Sequence, residues 1–268
     1  MPKELTGGTP LSRFKQKIQR LPGALRIMTE GDSWFAFPLP SRPNIPDNLI
    51  TTFAEKAAWL RLEGNGDEAV EILKGEQRNR LRRLLADDAL GFEALLFSGG
   101  GNDIVGEDLL PLLKDFEPGA DWRSCIDQER FLRRMDQIEA AYEELVDLRD
   151  DHRPGCVIFT HAYDLAIPTG KAIKLPGVKI GPWMQPYLLQ RGIKDPAMQR
   201  RIIRYMLEQF GELMSKLETR HHGIVYVRTQ GTLDDTQWGD ELHPTAAGFT
   251  QLAKLFEAAL TAQFPGRL

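Results

Sequence analysis

Two short stretches near opposite ends of the chain carry residues that could make and break an acyl bond. They are Gly31-Asp32-Ser33-Trp34 and Asp240-Glu241-Leu242-His243-Pro244. A serine hydroxyl is a weak nucleophile at neutral pH. It needs an imidazole within hydrogen-bond reach, and the imidazole gains from a carboxylate on its other nitrogen. Asp240 and His243 stand three residues apart, so in a loop entering a helix both side chains can face one cleft. Pro244 suits the first turn of that helix. Ser33 is therefore the candidate nucleophile, His243 the candidate base and Asp240 the carboxylate that supports it.

Acyl transfer also needs donors for the oxyanion of the tetrahedral intermediate. The backbone N–H of Ser33 is one candidate. Gly66, in Gly64-Asn65-Gly66-Asp67, can bring its N–H close because it has no side chain. Asn102, in Ser98-Gly99-Gly100-Gly101-Asn102-Asp103, can offer its amide. Each such donor is worth about 3 kcal/mol in a transition state. Taken singly, each residue also has a plain structural reading: Ser33 as a turn or cap, Asn102 as a turn asparagine, Asp240 and His243 as a capping pair. Asp32 and Asp103 read as anchors of the turn and of the glycine-rich loop.

The elements that must position these residues decide between the two readings. Five short apolar runs have the length of buried strands: Ala24 to Met28, Ala58 to Leu62, Ala94 to Phe97, Cys156 to Phe159 and Gly223 to Val227. Helical patterns lie among and after them, at Asp67 to Leu85, Asp127 to Arg149, Asp195 to Leu217 and Thr245 to Phe264. Alternating strands and helices predict an α/β fold, a parallel sheet with helices on both faces, and one domain over residues 1–268. Open parallel sheets bind ligands beyond the carboxyl ends of their strands. Ser33, Gly66 and Asn102 follow the first, second and third runs, and Asp240 and His243 follow the fifth across a loop. The fourth run is followed by Thr160-His161-Ala162-Tyr163-Asp164, which makes His161 and Tyr163 candidate pocket residues, with a loop-fixing role as the alternative for His161. Trp34 is a further candidate, for the pocket wall or for packing. Residues 165–193 carry Pro168, Pro176, Pro182 and Pro186 with Trp183, Met184 and Tyr187, the pattern of a substrate wall, a lid or a stiff connection.

In this order the blocks resemble the SGNH, or GDSL-type, hydrolase family over about residues 24 to 250: Gly31-Asp32-Ser33, a glycine after the second strand, Gly100-Gly101-Asn102-Asp103, and Asp240-x-x-His243-Pro244. The resemblance implies a three-layer α/β sandwich on a five-stranded parallel sheet of flavodoxin-like order. It implies Ser33 as nucleophile and oxyanion donor, Gly66 and Asn102 as further donors, and Asp240 and His243 as the rest of a triad. It also implies ester hydrolysis, on lipids, acetylated sugars or small acyl groups, with neither cofactor nor metal. Trp34 departs from the family's leucine, and Gly64 competes with Gly66 in the weakest block. An acyltransferase, or a non-catalytic acyl- or glycan-binding module on the same fold, is the alternative.

Bulk properties narrow the field. The net charge of -4 and pI of about 5.8 give no basic footprint for nucleic acid. The two cysteines, Cys125 and Cys156, form no Cys-x-x-Cys pair, so neither a zinc site nor a redox motif is expected. Met1 to Gly8 has no apolar stretch of signal-peptide length and no segment approaches a membrane span, so the cytoplasm is the expected compartment. Gly64-x-Gly66-x-x-Ala69 mimics a dinucleotide fingerprint, but Asp67 and Glu68 stand where a pyrophosphate would sit. No Gly-x-Ser-x-Gly elbow is present.

Overall fold

The computed structural model describes residues 9–37, 39, 41–175 and 178–268. The opening segment Met1 to Gly8 and Pro176 of the sequence reading lie outside them. The central sheet consists of β1 (Leu25–Gly31), β2 (Ala57–Arg61), β3 (Ala94–Ser98), β4 (Val157–His161) and, after a separate hairpin of β5 (Ile173–Leu175) and β6 (Val178–Ile180), β7 (Ile224–Val227). The order is β2-β1-β3-β4-β7, every pair parallel, which is the flavodoxin-like order. All five apolar runs form these strands. The central β3 and β4 are buried at every position, as expected where both faces of a parallel sheet are covered.

Helices α1 (Pro10–Arg20), α2 (Ile45–Thr52), α3 (Ala69–Ile72), α4 (Gly75–Leu85), α5 (Gln128–His152), α6 (Gln185–Gln190), α7 (Pro196–Arg220) and α8 (Ala246–Gln263) surround the sheet. Alternation along the strands sorts them into layers. Phe97 and Thr160 point to α5, where both meet Tyr142. Phe159 and His161 point the other way, to Phe264 and Phe256 at and within α8. Helices α3, α4 and α7 join α5 on its side, and α2 joins α8 on the other. The result is a three-layer sandwich.

The pattern predicted over Asp67 to Leu85 is two helices. Gly75, at φ +51°, breaks the hydrogen-bond ladder between them. The first of the two starts without a cap from its own N-cap residue. Asp103 supplies one from the loop after β3, accepting from Ala69 N at 2.8 Å and Val70 N at 3.2 Å. The last helix also differs in detail. Thr245 is its N-cap, so Pro244 precedes the helix and pairs instead with Trp238. The first strand runs past its apolar run because its polar end has partners: Thr29 Oγ1 donates to Glu63, and Glu30 accepts from Gly31 N.

The seam between β1 and β3 positions everything that follows. Gly31 pairs with Ser98, and Asp32 N donates to Ser98 O at 2.9 Å. Gly31 sits at φ +143°, and a Cβ there would collide with the Ser98 carbonyl. Beneath the seam, Tyr163 N donates to His161 Nδ1 at 3.0 Å. His161 therefore carries its proton on Nε2, 2.9 Å from Ser98 Oγ. Ser98 Oγ in turn donates to Asp32 Oδ1 at 2.8 Å, and Tyr163 Oη to Asp32 Oδ2 at 2.5 Å. His161 is fully buried among Trp34, Phe35, Tyr163 and Phe256, so it fixes the loops from below and does not line a pocket. Burial pushes its pKa down to about 3. Burial also pushes Asp32 up to about 6, against its hydrogen bonds from Tyr163, Ser98 and Trp34 N and the charge of His243.

The two groups act on stability in opposite directions. The unfolded chain protonates His161 first, so its contribution is present above about pH 6.5 and lost as pH falls toward 3. For Asp32 the contribution is present below about pH 3.8 and lost as pH rises through about 6.

Two outcomes follow. Gly31→Ala should lower stability by about 3 kcal/mol through strain and overpacking, read as a shift of the denaturant midpoint; an unchanged midpoint would contradict the close approach. Imidazole 15N spectra should show His161 as a neutral Nε2–H tautomer from pH 8 down to about 4. A ring that titrates near 6.5 would remove it from the buried network.

Candidate active site

The carboxyl ends of β1 and β3 mark the point where the strand order reverses. Ser33 and Asn102 stand there, and the loop after β7 brings His243 and Asp240 over to them. Ser33 Oγ is 2.8 Å from His243 Nε2, and His243 Nδ1 is 2.8 Å from Asp240 Oδ1. Asp240 Oδ1 also accepts from the backbone N–H of Leu242 and of His243, and Oδ2 accepts from Arg42 Nη1 at 3.0 Å. Burial works to raise the Asp240 pKa. The hydrogen bond and charge of His243 and the two backbone donors outweigh it and hold the carboxyl below its ordinary value. An ionised carboxylate only accepts, so the proton of the imidazole belongs on Nδ1 and Nε2 faces the Ser33 hydroxyl as acceptor.

Aromatic and cationic neighbours hold this arrangement. Phe37 packs on His243 at 4.8 Å between ring centroids, and the Arg42 guanidinium lies 4.4 Å over Phe37. Trp183 meets the imidazole edge-on at 5.3 Å. Trp34 both packs in the core, edge-on to Phe249, and lines a cavity; its indole N–H also donates to Leu242 O at 3.0 Å, tying the serine turn to the histidine loop. Phe35 and Phe37 belong to the core.

Gly66 and Asn102 lie with Ser33 and His243 on the wall of one cleft. Gly64 is committed elsewhere, because its N–H donates to Gly31 O at 2.9 Å. Asn102 donates from Nδ2 to Asp67 O at 2.9 Å, which fixes the amide plane and leaves its second N–H. Gly101 N donates to Tyr163 Oη at 2.9 Å, so Tyr163 links the Asn102 loop to Asp32.

Two openings meet at Ser33. One is a narrow cavity, with Trp34 and Tyr163 near the serine and Ile203, Met206 and Leu207 of α7 among its walls. The other is the cleft bounded by Asn65, Gly66, Trp183 and, from the hairpin, Ile173 and Ile180. Residues 165–193 thus form wall on both sides, with Ala166 and Met184 facing the first opening. One carboxylate holds that segment: buried Glu241 accepts from Gly170 N and Gln185 N on Oε1 and from Trp183 N and Met184 N on Oε2, at 2.6 to 3.0 Å. Glu241 and Arg42 were not candidates in the sequence reading. Glu241 stands beside Asp240 in the motif, which is the signal that could mark it, while Arg42 sits in a proline-rich stretch with no pattern to mark it.

Among the described residues, no group of three or more His, Cys, Asp or Glu side chains is arranged to hold a metal ion. No helix there is long and apolar enough to cross a membrane. Cys125 and Cys156 are both buried and unpaired with each other.

Neither family models nor curated protein sequences yield a match. Solved structures do. The chain is similar to a lipase, Lip_vut3, from a goat rumen metagenome, with TM-score 0.56 at 13% identity, over 88% of this chain and 97% of that one. It is similar to an extracellular lipase from Streptomyces rimosus, with TM-score 0.55 at 13% identity, over 88% and 100%. It is also similar to a candidate SGNH hydrolase from Slackia heliotrinireducens, with TM-score 0.55 at 12% identity, over 88% and 99%. At such identities the likeness speaks for architecture, and with the strand order above it gives the conclusion that this chain has the SGNH-hydrolase fold.

Proposed function

We propose that the protein is a serine ester hydrolase of the SGNH type, with Ser33, His243 and Asp240 as its triad. The observation that carries this reading is the unbroken hydrogen-bond chain from Ser33 Oγ through His243 to Asp240, beside an apolar cavity at the switch point of the sheet. Lipases among the structures of the same fold agree with an ester as the substrate class.

In the proposed reaction, His243 Nε2 takes the Ser33 proton as Oγ bonds to the ester carbonyl carbon. The carbonyl π electrons move to oxygen. That oxyanion sits among the backbone N–H groups of Ser33 and Gly66 and the free N–H of Asn102. Collapse of the intermediate breaks the carbon–alkoxide bond, and the leaving oxygen takes the proton from His243. Water then gives a proton to His243 and attacks the acyl-enzyme, and Ser33 leaves and is reprotonated. Asp240 stays ionised throughout, holding the tautomer and stabilising the transient imidazolium. Arg42 is well placed to keep that carboxylate oriented, through its bond to Oδ2. The insertion acts in this account as a fixed wall, because the four N–H bonds to Glu241 would all have to break for it to swing away.

Ser33→Ala should lower kcat for p-nitrophenyl ester release by about 10⁴-fold or more, with the circular dichroism spectrum unchanged. Asp240→Asn should cost about 10³- to 10⁴-fold, since the amide favours the wrong tautomer. Full turnover in Ser33→Ala would overturn the assignment.

A further inference from the structure

We infer that the narrow cavity beside Ser33 is a channel for the acyl part of the substrate, and that the enzyme selects esters of unbranched acyl chains of several carbons over acetyl esters. This rests on the serine-hydrolase reading above, because it takes Ser33 as the attacked atom's neighbour.

The two openings at Ser33 are chemically unlike. In the narrow one, the deeply buried polar side chains Asp32 and Tyr163 are already paired within the protein, and of the others only Asn102 keeps free bonding capacity, beside Ser33. Asp32 accepts from Tyr163, Ser98 and Trp34 N. Tyr163 Oη accepts from Gly101 N while donating to Asp32. Asn102 spends one N–H on Asp67 O, and its other is the oxyanion donor of the proposed reaction. Beyond these groups the wall is aliphatic, from Ile104, Met184, Ile203, Met206 and Leu207. A sugar pushed into this space would leave its hydroxyls without partners, which is costly when buried. A methylene chain has no such groups and gains about fourfold in binding for each CH₂ taken from water. An acetyl group would reach only the mouth and leave an apolar void behind it, a space that water does not fill favourably.

The second opening is more polar and more open to solvent at one edge. It offers the side chain of Asn65 and the backbone of Gly66, both exposed, with the Trp183 ring alongside. Polar alcohol groups can be solvated or bonded there. Ser33 and Asn102 lie on both walls, so an ester carbonyl placed on them sends its acyl carbon chain one way and its alcohol the other. The length limit falls to α7, since Ile203, Met206 and Leu207 come from a helix packed on the core and none is more than 7% exposed.

The test is kcat/KM on p-nitrophenyl acetate, butyrate, octanoate and dodecanoate, with wild type, Leu207→Trp and Leu207→Ala. Wild type should prefer octanoate or butyrate to acetate by at least about tenfold. Leu207→Trp should lower the octanoate-to-acetate ratio about tenfold or more. Leu207→Ala should move the optimum toward dodecanoate, which keeps the question answerable if the tryptophan variant does not fold. An acetate optimum in wild type, or ratios unmoved by both variants, would overturn the channel while leaving Ser33-dependent hydrolysis in place. Release from no ester, in a protein whose Ser33 also fails to react, would overturn the hydrolase reading itself.

Discussion

The candidate site depends on how closely β1 and β3 approach at their carboxyl ends. Gly31 must come within hydrogen-bonding distance of the Ser98 backbone for Asp32 N to reach the Ser98 carbonyl. Only a residue without a Cβ permits it. From that one contact the chain turns so that Ser33 rises over the seam while Asp32 points into it. Once Asp32 is inside, Ser98, Tyr163 and the backbone of Trp34 must satisfy it. Tyr163 then carries the constraint to Gly101 and so to Asn102. The Ser33 turn, the glycine-rich loop and the end of β4 are thus one hydrogen-bonded unit, and a shift in any of them would be felt by the others.

Two aspartates near His243 show how surroundings divide labour between like groups. Asp32 is bonded mainly to neutral hydroxyls, and burial raises it to about 6. Asp240 is bonded to the imidazole and to two backbone N–H groups, and these hold it ionised. The first serves as a structural tie, and the second has the charge that the proposed base, His243, would require. Glu241, next in the chain, gathers four backbone N–H groups from residues 165–193. Asp240, which orients the imidazole, and Glu241, which fixes the cavity wall, are therefore adjacent in sequence, which couples the wall to the orientation of His243.

The parts of this architecture that could be read from sequence are those governed by local chemistry. Strands buried on both faces must be apolar runs, so all five were visible, and Ser33, Asn102, Asp240 and His243 were visible because each follows or precedes an element that projects it. Less could be read where the cause is distant. The cap from Asp103 on α3 needs a partner 30 or so residues away, and the break at Gly75 is a single left-handed residue inside a pattern that otherwise runs on. Helices α1 and α2 are short, but their capping residues, Thr9 before Pro10 and the Asn44–Asp47 box, were available signals that a search for long periodicity passes over. His161 looked like a pocket residue because it ends a strand on the right edge; alternation turns it down into the α8 layer. Arg42 gained its place only when the fold set it against Asp240.

The central claim is that Ser33 is a nucleophile activated by His243. Its most direct test is reaction of the native protein with a fluorophosphonate, followed by peptide mass spectrometry. The account predicts a single phosphonyl adduct on the peptide containing Ser33, formed in the wild type and missing in His243→Ala. No adduct, an adduct on another residue, or undiminished labelling of His243→Ala would contradict it.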